Sequence, residues 1–229
     1  MSEISLHNSN CLDILKTIED ESISLCVTDP PYKITPRGNV GTTGGLLKSK
    51  LSMEGKIFNH NNISISEYAP ELYRILKDGS HCYIMTNHIN LIEMLTTMEN
   101  VGFHFIKSII WDKGNKIMGR FYMSQFEYIL FFRKGKGIQI NHCGTSDILS
   151  IPNKKLKDEN GKNLHDTEKP VELMKILIDN SVRDKDDIVI DPFMGIGSTG
   201  VACKELDVNF IGIELDENYY KIAKERIEN

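Results

Sequence analysis

One stretch constrains this chain more than any other: Ile188-Val189-Ile190-Asp191-Pro192-Phe193-Met194-Gly195-Ile196-Gly197-Ser198-Thr199-Gly200. An apolar run of strand length enters a glycine turn, and the residues beyond the turn start a helix. Glycines at 195 and 197 allow the backbone a close approach to a ligand, and the helix start offers unpaired N–H groups and a positive dipole end. About twenty residues on, Phe210-Ile211-Gly212-Ile213-Glu214 ends a second apolar run in an acid. A carboxylate there can accept both hydroxyls of a ribose. A plain strand-to-helix turn would also show the G-x-G, so the paired acid carries the functional reading. A dinucleotide-binding dehydrogenase shares both features. Only fifteen residues follow Glu214, so the remaining strands are expected from upstream sequence, in a circularly permuted order.

The upstream sequence offers those strands. Ser24–Thr28, Ser80–Thr86, His104–Trp111, Glu127–Phe132, Asp187–Ile190 and Asn209–Ile213 are apolar runs, with a weaker one at Ile4–His7. Several are nearly continuous in apolar residues, as strands buried on both faces are. Helical spacing recurs between them. Tyr68, Leu72 and Ile75 mark one helix, closed at Lys77-Asp78-Gly79; Asn90–Met98, Val171–Val182 and Glu217–Ile227 mark others. Alternating strands and helices predict a parallel sheet with right-handed crossovers. No helix separates the two strands between His104 and Phe132, so they are expected to pair as an antiparallel hairpin. The 229 residues suit a single α/β domain. Two stretches interrupt the alternation: Lys33–Asn62, glycine-rich, reads as a long mobile loop, and Lys136–Leu164 as a loop-rich insertion.

Ser24–Thr28 leads into Asp29-Pro30-Pro31-Tyr32. Consecutive prolines are stiff in φ and donate no backbone hydrogen bond, but their carbonyls remain acceptors. The loop therefore presents a carboxylate, rigid carbonyls and an aromatic face at the carboxyl edge of a parallel strand, where α/β sheets bind ligands. An exocyclic amino group on a base is a poor nucleophile because its lone pair is delocalised. The Asp29 carboxylate and the Pro30 carbonyl can take its two hydrogens and draw the nitrogen toward tetrahedral geometry. Such charge-assisted bonds are worth about 1.5–3 kcal/mol, and more when they strengthen as positive charge develops. Tyr32 can stack on a base swung out of the duplex.

These residues resemble the permuted (β-type) amino-methyltransferases of DNA, mostly adenine-N6 enzymes. DPPY and DPFMGIGSTG carry the likeness. Ile109-Ile110-Trp111-Asp112-Lys113 and Glu127-Tyr128-Ile129-Leu130-Phe131-Phe132-Arg133-Lys134-Gly135 resemble two further strands of that family. The resemblance implies a Rossmann-like methyltransferase fold with a seven-stranded sheet, mostly parallel with one antiparallel strand, and S-adenosylmethionine as cofactor. It places Asp29, Asp191, Pro192, Phe193, Gly195, Gly197, Thr199 and Glu214 around that cofactor. His165-Asp166-Thr167-Glu168-Lys169-Pro170 resembles the family's H-P-T-x-K-P segment, which assigns His165, Thr167 and Lys169 to the methionine carboxylate. Thr167 and Pro170 also suit a plain helix entry. Asn10 and Cys11 fall where relatives carry the acid that meets the adenine amino group. Two departures stand out: Asp166 replaces the family proline, and Asn10 supplies no charge.

The reading implies methyl transfer to adenine N6 in double-stranded DNA with the base flipped out. Cytosine N4 remains an alternative, as does a catalytically inactive DNA-binding subunit. No Pro-Cys dipeptide is present for cytosine C5 chemistry. Net charge is −5, but Lys107–Lys136 holds seven basic and two acidic residues, and the stretch from Lys204 onward four basic and seven acidic. That asymmetry suggests one face turned to phosphates. Arg37, Lys116 and Arg120 are candidate DNA contacts, and Lys33–Asn62, Asn115–Met123 and His142–Leu164 are expected to share target recognition. Candidate partners besides DNA are a second copy of the chain and a cognate restriction endonuclease. The five cysteines form no C-x-x-C pair, so neither a zinc site nor a disulfide framework is expected. With no secretory signal and no long apolar span, the expected location is the cytoplasm.

Overall fold

The structure, a computed structural model, describes residues 2–31, 63–117, 122–154, 161 and 168–229. Its chain order is β1 (Ile4–Asn8), α1 (Cys11–Leu15), β2 (Ile23–Thr28), α2 (Ile65–Ile75), β3 (Leu76–Thr86), α3 (Leu91–Val101), β4 (His104–Ile117), β5 (Ser124–Arg133), β6 (Ile148–Ser150), α4 (Val171–Asp179), β7 (Ile188–Asp191), α5 (Ser198–Glu205), β8 (Asn209–Glu214) and α6 (Glu217–Glu228). The strands form one sheet in the order β1-β8-β7-β2-β3-β5-β4-β6. Only β5 runs against its neighbours; every other pairing is parallel.

Side-chain alternation explains the three layers. Along β2, Leu25 and Val27 point into one core with Leu173, Leu177, Ala202 and Ala223 from α4, α5 and α6. Cys26 points into the other, as does Ile23 across the irregularity between Ile23 and Leu25, with Tyr68, Leu72, Met94 and Met98 from α2 and α3. Both faces are thus covered, which is why these strands read as continuous apolar runs rather than alternating ones. Trp111 on β4 is fully buried, and its indole N–H donates to the Ile151 carbonyl at 2.9 Å. That bond satisfies the one polar atom of a side chain of this size.

The described residues make eight strands, one more than the resemblance implies. The extra one is β6, inside the stretch expected to be loop-rich. Its three residues pair with Ile110, Trp111 and Asp112 of β4. Leu149 is its one buried side chain, too little apolar pattern to announce a strand. The expected closure at Lys77-Asp78-Gly79 also differs: α2 passes directly into β3, and Gly79, at φ 81°, donates its N–H to Lys134 O. The β4–β5 hairpin is longer than expected, so Asn115 and Lys116 stand on a strand, not in a loop. The expected loop 33–62 and residues 155–160 and 162–164 of the insertion lie outside the described residues. Among the described residues no helix is long and apolar enough to cross a membrane.

Chain order and space diverge at the centre of the sheet. From β7 the chain moves outward through β8 to the β1 edge, whereas β2 continues to β3 on the other side. The β7–β2 pair is therefore the topological switch point, where α/β sheets open a crevice at their carboxyl ends. Asp191 closes β7 and Asp29 follows β2.

Candidate active site at the switch point

On the β7 side, carboxylates are held by their own chain. Asp191 is buried and accepts from Thr28 Oγ1 (2.7 Å), Thr199 Oγ1 (2.6 Å) and the Phe193 N–H (3.1 Å). Burial still pushes its pKa up to about 6 against those bonds. Thr199, expected at the cofactor, is itself buried and turned onto Asp191. Glu214 accepts from Gly195 N–H (2.9 Å) and Asp216 N–H (2.8 Å), and burial raises its pKa to about 7. Each carboxylate oxygen has a second lone-pair site, so Glu214 keeps acceptor capacity for hydroxyls.

The glycine turn is built for two different reasons. Gly195 takes φ 54°, a left-handed conformation that puts its N–H on Glu214. Gly197, at φ 82°, has its bare side against α6: a Cβ there would sit 2.9 Å from Ile227 Cδ1 and 3.0 Å from Ala223 Cβ. Close packing of the turn on α6, together with the left-handed φ, requires glycine at 197. Arg226 of the same helix donates to Ile196 O at 2.6 Å and pairs with buried Glu168 at 3.1 Å. Phe193 meets Tyr68 edge-on, ring centres 5.1 Å apart, which gives the crevice an aromatic wall.

Near the amino terminus, Asn10 caps α1, its side chain accepting from Leu12 N–H at 2.9 Å. Cys11 is buried, and burial pushes its thiol up to about 12, so it stays protonated. Both lie at the end of β1, whose Asn8 stands opposite Glu214.

On the β2 side, Asp29 behaves differently. Its Oδ2 is in close contact with Lys169 Nζ, while its Oδ1 is buried with no hydrogen-bond partner. Burial raises the Asp29 pKa, Lys169 opposes that rise, and Glu127 adds to it. Lys169 is buried as well; burial works against its charge, but Asp29 and Glu127 together hold it above the usual ammonium range. Lys169, expected at the cofactor, is thus placed on the acid of the DPPY loop. Pro30 is buried and Pro31 half-buried beside it. Tyr32, Arg37, Arg120, His165 and Thr167 lie outside the described residues.

Two charged residues at this site escaped the sequence reading as functional groups. Glu127 lies 3.5 Å from Lys169 and accepts from Lys113 Nζ at 2.6 Å. Their signal was a charge at the head of an apolar strand and another two residues after Trp111, visible only once the register pairs Trp111 with Glu127. The basic middle also proves less exposed than its composition suggested. Lys113 pairs with Glu127, Lys134 is buried on Glu21 and Leu76 O, and Lys107 pairs with Asp147. These ammoniums are spent inside the molecule or on neighbouring acids, whereas Lys116 is exposed. Among the described residues, no group of three or more His, Cys, Asp or Glu side chains is arranged to hold a metal ion.

The N6/N4 DNA methylase family profile matches residues 23–225, a span that includes both sides of this crevice. The chain belongs to that family. Among curated methylases it is 31% identical to the Type II methyltransferase M.HinfI of Haemophilus influenzae over 95% of this chain, and 29% identical to M2.MboI of Moraxella bovis over 97%. It spans 66% of the length of the first, just under two thirds, and 86% of the second. Among solved methylases, the M1.HpyAVI–SAM complex superposes with a TM-score of 0.69 at 25% identity, covering 97% of this chain and 99% of that one. The cytosine-N4-specific PvuII DNA methyltransferase superposes at 0.74 with 18% identity, over 99% of this chain and 86% of that one, a likeness of fold. The described fold is that of the S-adenosylmethionine-dependent DNA methyltransferases.

Proposed function

We propose that this methylase transfers a methyl group from S-adenosylmethionine to adenine N6 in double-stranded DNA. The observation that carries the reading is the Asp29 carboxylate: one oxygen neutralised by Lys169, the other buried, unpaired and set at the switch point beside the glycine turn. A buried acceptor without a donor costs about 1–3 kcal/mol. An amino N–H arriving from a flipped base relieves that cost, so the site favours the amino group it acts on. A solved relative in complex with SAM supports the choice of cofactor. In this chain Glu214 would accept the ribose hydroxyls, the Phe193–Tyr68 wall and the Asn10–Cys11 end of β1 would flank the adenine, and the Gly195–Thr199 turn would lie under the methionine portion. The cofactor supplies an electrophilic methyl group.

Asp29 Oδ1 then accepts one hydrogen of the target amino group and the Pro30 carbonyl the other. The bonds strengthen as positive charge develops on nitrogen, which is where differential stabilisation arises. Tyr32 stacks on the extruded base. Arg37, Lys116 and Arg120 serve the phosphates, and His165 and Thr167 the methionine carboxylate. The relatives are named Type II methyltransferases, which supports a role beside a cognate restriction endonuclease in the cytoplasm.

The test is transfer of labelled methyl from S-adenosylmethionine to DNA, with the product nucleosides separated by mass spectrometry. Label in N6-methyladenine is expected. Label in N4-methylcytosine would replace the adenine assignment, and a protein that binds cofactor but labels no nucleic acid would overturn the reading.

A further inference from the structure

The sheet delivers a second acid to the catalytic edge by an unusual route. Parallel strands bring only their last residues to that edge; β5, being antiparallel, brings its first. Glu127 stands there, on the register of Trp111, and Lys113 lies diagonally across the pair on the same face. Four side chains follow in a row with alternating sign. Asp29 Oδ2 touches Lys169 Nζ, Lys169 Nζ lies 3.5 Å from Glu127 Oε2, and Glu127 Oε1 lies 2.6 Å from Lys113 Nζ. All four are buried or mostly so: their side chains are 19%, 6%, 20% and 11% exposed. Each ion has an opposite neighbour, which offsets part of the desolvation cost, while Glu127 Oε2, like Asp29 Oδ1, is buried without a hydrogen-bond partner.

We infer that Glu127, held by Lys113, is a positioning residue that fixes the Lys169 ammonium on Asp29 Oδ2 and so leaves Oδ1 alone to receive the target amino group. The inference rests on the role proposed above for Asp29. A lysine on a flexible stem has three donors and no preferred acceptor. A second carboxylate on the side away from Asp29 Oδ2 opposes a swing of the Lys169 ammonium across both Asp29 oxygens, which would block the one the base needs. Glu127 supplies that second carboxylate, and Lys113 fixes its other oxygen. Burial opposes the Glu127 charge, yet Lys169 and Lys113 hold its pKa below the usual range, so it remains an anion when Asp29 titrates.

The row also sets the charge on Asp29, with opposite signs at its two outer members. Glu127 raises the Asp29 pKa and Lys113 lowers it. The other ionisable groups facing Asp29 are Lys169, Asp191 from β7, and Tyr68 from α2, whose phenol burial keeps neutral. Glu127→Gln removes a negative neighbour, so Asp29 ionises at lower pH. Lys113→Met removes a positive one, so Asp29 ionises at higher pH. Of the two, the Glu127 substitution is expected to move the titration further.

The experiment is the pH profile of kcat/KM for DNA methylation with the full chain, its acid limb reporting Asp29 in the free enzyme. The limb should move down in Glu127→Gln and up in Lys113→Met, with kcat falling in both and the KM for S-adenosylmethionine little changed. A loss of fold alone does not produce shifts of opposite sign. Each variant carries its sign alone, so misfolding of one leaves the other decisive. A limb that stays in place, or moves the same way in both, overturns the positioning role. Asp29→Asn separates the two levels. If it retains full transfer, the reading of Asp29 itself falls. If it is inactive while the limb does not move, only the role of Glu127 and Lys113 falls.

Discussion

The two sides of the crevice treat their acids in opposite ways. On the β7 side, Asp191 has three donors and Glu214 two, all supplied by neighbouring hydroxyls and backbone N–H groups. On the β2 side, 163 residues away in sequence but joined by the Thr28–Asp191 bond, Asp29 has a lysine on one oxygen and nothing on the other. A carboxylate with each oxygen bonded to its own chain stores shape: it fixes the glycine turn, and Glu214 still keeps lone pairs for further donors. A carboxylate left half-empty stores demand for a donor. On the proposed reading, the contrast assigns the chemistry to the β2 side and the scaffold to the β7 side.

Breaking the β2 side should have the largest effect on rate. Asp29→Ala is expected to lower methyl transfer by on the order of 10²–10³ or more, the size seen when one donor or acceptor aimed at developing charge is removed. Cofactor affinity by calorimetry should stay nearly the same; its loss would mean that the two sides are not separable. Breaking the β7 side should appear first in stability. Asp191→Asn cannot accept from Thr28, Thr199 and Phe193 N–H at once and should cost roughly 1–3 kcal/mol in urea unfolding. An unchanged midpoint would show that the buried carboxylate is not the tie described.

A smaller effect follows from Glu214. Its folded pKa, about 7, lies above the ordinary 4.5. The folded state therefore binds the proton more tightly, and this group's contribution to stability is fully present below about 4.5 and lost as pH rises through about 7. Subtracting the unfolding free energies of Glu214→Gln from those of the wild type, without cofactor, should leave a difference that declines across that window. A difference that is flat or rises would contradict the burial argument. The smallest effect is expected at Lys116, exposed on β4. Lys116→Ala should weaken DNA binding modestly and reduce the salt slope of log affinity by about one. No change in slope would remove Lys116 from the phosphate contacts.

The sequence made the central strands legible because burial on both faces writes itself as unbroken apolar runs, as in Leu25-Cys26-Val27 and Ile188-Val189-Ile190. The hairpin of β4 and β5 was legible from a missing helix. β6 was not, because its pairing with β4 depends on backbone partners that no local pattern encodes. The same limit hid half of the candidate site. Asp29 and the glycine turn announce themselves by composition. Glu127 and Lys113 look like ordinary surface charges until the register, which sets Glu127 opposite Trp111, brings Lys113 diagonally beside it. Gly197 is also constrained by Ala223 and Ile227, which no turn motif mentions.

The pairing of β2 with β7 has a consequence for how the molecule comes into being. Leu25 and Cys26 must wait for Val189 and Ile190 before the middle of the sheet can close. Contacts of such sequence separation carry a large loop-closure cost and slow the folding search. On a ribosome, where the chain emerges from its amino end, the DPPY segment is made early but has no neighbour on that flank until β7 has left the exit tunnel. A nascent chain therefore carries Asp29 long before it has the crevice that sets it beside Asp191.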